Sequence, residues 1–158
     1  MITLQTVTNK DHVAQARVLF REYAGTRRND PALVSFSEEI SNLPGNYAPP
    51  DGSIILAYSD GKPAGCVAVH KLEDHICEMK RLYVPPKFRG RGIGKYLVIA
   101  LIRRAKNMGY TRMRLDSIPS MKTAQALYES IGFYEIPDYK HNPNKGTKYY
   151  EIDVQGFK

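Results

Sequence analysis

The run of residues 77–94 constrains the fold of this chain more than any other segment. Strand-forming residues continue to Val84, Pro85 and Pro86 then break the strand, and the glycine-rich residues 89–94 open a helical pattern. A loop of this kind presents free backbone N–H groups at the positive end of a helix dipole, a suitable place for a phosphate group. The run therefore predicts a strand, a phosphate-binding loop and a helix in succession.

The spacing of the glycines rules out two common phosphate-binding fingerprints. A dinucleotide-binding G-x-G-x-x-G would need its third glycine at Lys95 or at Leu97, depending on where it starts. A P-loop would need glycine in place of Arg89 and a hydroxyl residue in place of Tyr96. The remaining pattern is an Arg-x-x-Gly-x-Gly loop that follows a strand.

Charge supports a phosphorylated ligand at this loop. The chain has 158 residues, about the size of one domain, and 23 Lys and Arg against 16 Asp and Glu give a net charge of +7. Basic side chains crowd residues 80–95, and no nucleic-acid-binding motif accompanies them. We therefore expect one domain over residues 1–158 that binds a phosphorylated small molecule rather than nucleic acid.

Cysteine and histidine usage gives no sign of a disulfide framework or a metal site. Cys66 and Cys77 lie in apolar, strand-like runs, as expected of buried thiols in a reducing compartment. The four histidines show no metal-ligand spacing with these cysteines. The chain also lacks a signal-peptide pattern and an apolar run of the ~20 residues that a membrane helix needs. These features favour a soluble, cytoplasmic protein without a membrane-bound state.

Hydrophobic periodicity predicts six to seven strands and about four helices. The predicted strands cover residues 2–8, 53–59, 64–72, 76–84, 112–117, 133–136 and 147–154. The first predicted helix starts at Asn9 or Asp11 and runs to about Tyr23, and the others cover about 32–43, 93–108 and 119–131. Strands alternate with helices only in the second half, so we expect an α/β (α+β) domain with a mixed, mostly antiparallel central sheet.

The order of these elements, the loop at residues 89–94 and the late segment 127–133 (LYESIGF) resemble the GNAT superfamily of N-acetyltransferases. The resemblance extends over essentially the whole chain. It implies a GNAT-like fold and the transfer of an acetyl group from acetyl-coenzyme A (acetyl-CoA) to the amine of a small molecule, a peptide or a protein, by direct attack in a ternary complex. Many members pair through their late strands, so the resemblance also makes a homodimer one expected state.

The resemblance assigns most of residues 77–94 to acetyl-CoA. Leu82, Tyr83 and Val84 would line the pantetheine arm, and a backbone amide near Leu82 would polarise the thioester carbonyl. The strand that carries them would splay from the strand at residues 112–117 to admit the cofactor. The pyrophosphate would lie on the loop and the start of the next helix, which comprise Arg89, Gly90, Arg91, Gly92, Ile93, Gly94 and Lys95.

The resemblance also implies two catalytic side chains. Tyr128 matches the tyrosine that protonates the departing thiolate, although its helical spacing equally suits core packing. Glu78 is the candidate base that takes the proton of the acceptor amine, and partial burial would raise its pKa toward a useful value. The alternative role of Glu78 is an ion pair with Lys80 or Arg81.

One position departs from the family pattern. Many members have an asparagine three residues before the alanine of the late helix, whereas this chain has Met121 there. Ser120 and Lys122 are the neighbours that could replace the lost contact with the cofactor arm.

The sequence leaves the acceptor open. Candidates for its pocket are Glu38, Glu39, Tyr47, Tyr139 and His141, each of which has an equally plausible solvated or packing role. Two other functions also remain compatible with the chain. A non-catalytic coenzyme A-binding regulatory module would use Glu78 and Tyr128 only for ion pairing and packing. A nucleic-acid-binding domain would use the +7 charge, but the gathering of that charge at the glycine loop disfavours it.

Overall fold

A seven-stranded mixed sheet forms the centre of the computed structural model, which describes residues 1–158. Its strands are β1 (Ile2–Thr6), β2 (Ser53–Ser59), β3 (Lys62–Glu73), β4 (Ile76–Tyr83), β5 (Arg112–Ser117), β6 (Tyr134–Ile136) and β7 (Lys148–Asp153). They lie in the order β1-β2-β3-β4-β5-β7-β6, and every neighbouring pair is antiparallel except β4 and β5. The predicted α/β (α+β) architecture is confirmed.

Two pairs of helices cover the two faces of the sheet. The helices are α1 (Lys10–Thr26) and α2 (Phe36–Ser41) on one face, and α3 (Ile93–Asn107) and α4 (Lys122–Ile131) on the other. Alternate side chains of β2 show the division, because Ile54 and Leu56 pack with the first pair whereas Ile55 and Ala57 pack with the second. Burial on both faces explains why the middle of β2, from Ile54 to Ala57, is a continuous apolar run.

Local capping explains where the first helices begin. Asn9 caps α1, as predicted, and accepts a hydrogen bond from the His12 N–H at 2.9 Å. The prediction that residues 32–43 hold a second, shorter helix is confirmed by α2, which covers Phe36–Ser41 within that range. That region contains a short 3-10 turn at Pro31–Leu33 followed by α2, because the side chain of Asp30 caps a separate turn that proline can start.

β4 and β5 pair over only three residues. Their parallel ladder joins Ile76 to Arg112, Cys77 to Met113 and Glu78 to Arg114. Beyond Glu78, β4 keeps its pairing with β3 and β5 keeps its pairing with β7, so the two strands diverge. The predicted splay is therefore confirmed, and it opens a wedge in the middle of the sheet.

A β-bulge distorts β4 beside this wedge. Cys66 of β3 pairs with Tyr83 and Ala68 pairs with Lys80, so two residues of β4 lie opposite a single residue of β3. The first of the two, Arg81, has a φ of +63°, in the left-handed region that residues other than glycine rarely adopt. The bulge therefore lies in the strand segment that was predicted to bind the pantetheine arm.

Helix α2 braces Arg81 in this conformation. The guanidinium donates two hydrogen bonds to the carboxylate of Glu39, at 2.8 and 2.9 Å, and lies 4.2 Å from the centroid of the Phe36 ring. The predicted alternative of an ion pair between Arg81 and Glu78 is therefore wrong, because Glu39 takes the guanidinium instead.

Gly65 of β3 allows α3 to lie close to the sheet. A Cβ atom at this position would lie 2.9 Å from Leu97 Cδ1 and 3.1 Å from the backbone carbonyl oxygen of Tyr83. We therefore expect Gly65→Ala to lower the free energy of unfolding by about 1–3 kcal/mol, the usual cost of overpacking. Urea unfolding followed by circular dichroism measures the change.

Gly25→Ala in α1 is the matched control for this substitution. Nothing lies within 4 Å of a Cβ atom at Gly25, and alanine favours a helix over glycine, so stability should rise by up to ~1 kcal/mol. The close packing of α3 on β3 would be contradicted by an unchanged stability of Gly65→Ala.

The edges of the sheet are β1 and β6. The homodimer through late strands stays a prediction, for which β6 is the edge where a strand of a second chain would add. Cys66 and Cys77 are both buried and unpaired, as predicted. None of the helices combines the length and apolar character needed to cross a membrane.

Candidate active site

A cleft of about 1070 Å³ runs from the wedge between β4 and β5 to the start of α3. Nine of the ten predicted cofactor residues line it: Leu82, Tyr83, Val84, Arg89, Gly90, Gly92, Ile93, Gly94 and Lys95. Arg91 is the exception, because its side chain donates a hydrogen bond to Ser59 Oγ at 3.2 Å and lies over the Phe88 ring. The structure thus brings the predicted residues together, and their binding of acetyl-CoA stays a prediction.

The glycine loop leaves backbone N–H groups available at the start of α3. Gly90 and Gly92 have φ values of +82° and +77°, and Gly92 is the N-cap of the helix. The first N–H group with a helical partner is that of Tyr96, so the groups before it have no carbonyl partner inside the helix. Arg89 Nε donates to the carbonyl oxygen of Val84 at 2.9 Å and ties the loop to the end of β4. This arrangement suits an anion.

Gly92→Ala tests the geometry of this loop. Alanine at a φ of +77° costs about 1–2 kcal/mol, and relief of that strain would move the N–H groups. A loss of this size in cofactor binding corresponds to about a tenfold rise in KM for acetyl-CoA, with KM for the acceptor within twofold. Initial-rate kinetics measure both constants.

Gly109→Ala is the matched control. Gly109 has a φ of +94° and open space around a Cβ atom, and it follows the other end of α3. The same strain there should lower stability by a similar amount without changing KM for acetyl-CoA. If both variants bound acetyl-CoA as the wild type does, the loop would not be the pyrophosphate site.

A second cavity, of about 150 Å³, adjoins the cleft. The two share five lining residues: Tyr23, Arg27, Leu82, Ile118 and Met121. A molecule in the cleft and a molecule in the cavity can therefore meet where these residues lie.

Tyr128 lies in the wall of the second cavity. Its ring packs edge-on against Phe133 and at a tilt against Tyr150, so that the residue is only 6% exposed. Its hydroxyl forms no hydrogen bond within the chain. Burial raises the pKa of Tyr128, so the phenol keeps its proton at neutral pH. The ring thus packs in the core, as one interpretation of the sequence had it, while the hydroxyl remains available to donate a proton.

Glu78 is buried behind the wall of the cavity. It is 2% exposed and lines neither the cleft nor the cavity. His70 Nε2 lies 2.8 Å from its Oε1 atom, and Tyr139 donates to its Oε2 atom at 2.5 Å. Lys140 Nζ lies 2.7 Å from the same Oε2 atom, whereas Lys80 Nζ is 4.0 Å from Oε1. The carboxylate is therefore surrounded by hydrogen-bond donors and positive charge.

The predicted rise in the pKa of Glu78 is wrong. Burial alone would raise it, but the hydrogen bond with His70 and the positive charges of Lys80 and Lys140 outweigh burial and hold the pKa of Glu78 well below its ordinary value. The carboxylate stays ionised at neutral pH and has little affinity for a proton. Its role as the base stays a prediction, and its position allows only indirect contact with an amine in the cavity.

The wall of the cavity carries several charged side chains that sequence reasoning did not assign to it. They are Arg27, Lys80, Arg81, Asp116 and Lys140. Lys80 carried a signal, because it stands two residues after Glu78 and shares its face of β4. Asp116 and Lys140 carried none, since the fold brings β5 and the β6–β7 connection together only in three dimensions.

The residues predicted to select the acceptor have different positions. His141 lines the cavity. Tyr47 donates to Glu39 at 3.1 Å, so both belong to the brace of Arg81, and Tyr139 binds Glu78. Glu38 lines neither the cleft nor the cavity.

The three residues at the start of the late helix are also separated. Met121 lies where the cleft and the cavity meet, and Ser120 lines the cleft. Lys122 lines neither. Ser120 is thus the polar neighbour placed to contact the cofactor arm in place of the usual asparagine.

Comparison with known sequences agrees with this geometry. The sequence model of the Acetyltransferase (GNAT) family matches residues 15–133. The chain is 31% identical to an uncharacterized N-acetyltransferase of Dictyostelium discoideum, over 90% of this chain and 94% of that protein. It is 33% identical to an uncharacterized N-acetyltransferase of Schizosaccharomyces pombe, over 97% of this chain and 95% of that protein.

A solved structure shares the fold. The PaiA N-acetyltransferase of Thermoplasma acidophilum, in complex with coenzyme A, matches with a TM-score of 0.76 over 97% of this chain and 99% of that chain, at 16% identity. At this identity the likeness shows the fold alone. The family match over most of the chain, together with the two relatives, establishes that the chain belongs to the GNAT family of acetyltransferases.

Proposed function

We propose that the protein moves the acetyl group of acetyl-CoA to a primary amine by direct attack in a ternary complex. The observation that carries the proposal is the junction between the cleft and the second cavity, which share five lining residues. A non-catalytic coenzyme A-binding module needs the cleft, but not an adjoining cavity that contains a buried phenol without a hydrogen-bond partner. The junction therefore favours catalysis.

The cleft offers complementary groups to the donor. The N–H groups at the start of α3 suit the pyrophosphate. β4 has no strand partner on its β5 side beyond Glu78, so backbone groups near Leu82, Tyr83 and Val84 are available to the amide groups of the pantetheine arm. An N–H near Leu82 would then polarise the thioester carbonyl.

Tyr128 can account for both proton transfers of the reaction when the acceptor enters as a free amine. The nitrogen attacks the thioester carbon and the carbon–sulfur bond breaks, so that the nitrogen loses one proton and the sulfur gains one. Tyr128 donates its proton to the thiolate and recovers one from the nitrogen, directly or through water. Cations in the cavity wall favour the free amine, because like charges destabilise the ammonium form.

Glu78 then acts indirectly. Its hydrogen bonds and low pKa favour a positioning role, in which the carboxylate holds Lys140 and balances the charge of Lys80 at the wall of the cavity. The buried, unpaired thiols of Cys66 and Cys77 support a reducing, cytoplasmic location, which we include in the proposal.

A direct test incubates the purified protein with acetyl-CoA and a panel of small amines, free amino acids and peptides. Thiol release and the mass of the acetylated product report transfer. We expect transfer to at least one class, with intersecting rather than parallel initial-rate lines, since parallel lines indicate a covalent acetyl-enzyme. Binding of acetyl-CoA without transfer to any amine would support the non-catalytic module instead.

A further inference from the structure

The cavity beside Tyr128 is short of negative charge. Four cationic side chains line it, and Asp116 is the only carboxylate among the lining residues. Three of the four cations have a carboxylate partner: Arg27 pairs with Asp30, Arg81 with Glu39 and Lys140 with Glu78. The fourth cation is Lys80, whose nearest carboxylate is that of Glu78 at 4.0 Å, and Glu78 already pairs more closely with Lys140.

The ammonium group of Lys80 is held only loosely by the carboxylates around it. Its nearest carboxylate oxygen, Glu78 Oε1, lies 4.0 Å away and already faces His70 Nε2 at 2.8 Å. Asp116 does not take its place, because that carboxylate pairs with Lys140 at 3.7 Å, accepts a hydrogen bond from Asn142 at 2.9 Å and forms no ion pair with Lys80. The Lys80 side chain is 19% exposed, and the residue lines the cavity.

The pKa of Lys80 also reflects the shortage of negative charge in the cavity. Burial, together with the positive charges of Arg81 and Lys140, lowers the pKa of Lys80 to about 8 in spite of the opposing charges of Glu78 and Asp116. A negative group beside Lys80 would relieve this repulsion and stabilise the ammonium form. The cavity therefore favours a ligand that brings a negative charge with it.

We propose that the acceptor amine carries a carboxylate, as an amino acid does, and that Lys80 binds that carboxylate at the wall of the cavity. The proposal rests on the proposed acetyl transfer and adds the substrate class. A cavity of about 150 Å³ holds a ligand of roughly the size of benzene, which is the scale of a small amino acid. The amine and carboxylate of an α-amino acid share one carbon atom, so both groups fit within a cavity of this size.

The experiment compares acceptors that differ only in the group next to the amine-bearing carbon. One series is alanine, alaninamide, 1-aminoethylphosphonate and ethylamine, and a second series is 2-aminobutyrate, its amide and propylamine. Each kcat/KM is corrected for the fraction of free amine. We expect the carboxylate form to exceed the amide and the simple amine by at least tenfold, because a hydrogen bond to a charged group is worth this factor. The preference should shrink as pH rises above about 8, where Lys80 loses its charge.

Substitution of Lys80 separates carboxylate recognition from the rest of the reaction. Lys80→Met should raise KM for the carboxylate form about tenfold. KM for acetyl-CoA should stay within twofold, any loss with the simple amine should be several-fold smaller than the loss with the carboxylate form, and Lys80→Arg should keep the preference. Lys148→Met is the control, since Lys148 is about half exposed on β7 and lines neither the cleft nor the cavity.

Three results would overturn the proposal and leave acetyl transfer intact. They are equal kcat/KM across a series, a preference for the phosphonate, and an equal loss for charged and uncharged acceptors in Lys80→Met. Binding of acetyl-CoA without transfer to any acceptor would instead overturn the proposed function, so the two failures are distinguishable.

Discussion

Replacement of Tyr128 by phenylalanine should lower kcat about 100-fold, because general-acid catalysis contributes roughly 10²–10⁴ and the substitution removes the only proton of the side chain that can be donated. The ring contacts with Phe133 and Tyr150 remain in the variant. The lost hydroxyl has no partner in the chain, so we expect the midpoint of thermal unfolding to change little. KM for acetyl-CoA should stay within twofold. Steady-state kinetics at saturating acceptor measure the effect.

Tyr150→Phe is the matched control. Tyr150 is also buried, but its hydroxyl donates to Glu129 at 2.8 Å and it lines neither the cleft nor the cavity. This variant should lose about 1 kcal/mol of stability and keep its kcat. Unchanged turnover in Tyr128→Phe would exclude the acid role. Burial raises the pKa of Tyr128 above its ordinary value of 10.0, so the wild type should not lose this donor at neutral or mildly alkaline pH.

Glu78→Gln should lower the free energy of unfolding by roughly 3 kcal/mol, because removal of one partner leaves a buried opposite charge without compensation. The amide keeps the shape of the side chain but cannot balance Lys140, whose Nζ atom lies 2.7 Å from the carboxylate. We expect KM for the acceptor to rise, because Lys140 and Lys80 in the cavity wall lose the carboxylate that holds them in position. Chemical denaturation at neutral pH measures the stability difference.

The pH dependence of this difference has a definite sign. Contacts with His70, Lys80 and Lys140 outweigh burial and hold the folded-state pKa of Glu78 below the ordinary value of 4.5. A depressed pKa contributes stability that is fully present above the unfolded-state pKa and is lost as pH falls through the folded-state pKa. The gap between the wild type and Glu78→Gln should therefore stay constant near neutral pH and narrow only in acid, below about pH 4.

The matched control for Glu78→Gln is Glu135→Gln, at an exposed position of β6, which should leave stability and kinetics unchanged. Two further measurements separate the roles of Glu78. The double variant Glu78→Gln with Lys140→Met should lose less unfolding free energy than the sum of the two single losses, because both groups of one pair are then removed.

A base role predicts that Glu78→Gln abolishes the acidic limb of the pH–rate profile. The positioning role predicts that this limb remains, and its disappearance would contradict that role.

The donor half of the site was predictable because its determinants are local in the chain. The end of β4, the glycine loop and the start of α3 follow one another within residues 77–95, and nine of the ten residues that the resemblance assigned to the cofactor line the cleft. Arg91 was misplaced, because its repeat with Arg89 gave no indication that its side chain turns away to Ser59.

The ionisation of Glu78 was not predicted because the contacts that set its pKa form only when the strands and the β6–β7 connection come together in the fold. Burial was expected from the strand, and burial alone raises the pKa of a carboxyl group. The opposite result depends on His70, which the β3–β4 pairing places opposite Glu78, and on the positive charges of Lys80 and Lys140. Lys140 lies about sixty residues further along and reaches Glu78 only through the β6–β7 connection. The cationic cavity was missed for the same reason.

The brace between Arg81 and Glu39 connects the two halves of the reaction. It holds the bulge of β4, and the bulge sets the path of the backbone at Leu82, where the thioester would be polarised. The chain between α1 and α2 also supplies Ala32 and Leu33 to the wall of the acceptor cavity. Evolutionary change in this region would therefore alter donor and acceptor geometry together, so new acceptor preferences would arise under the constraint that Arg81 keeps its brace.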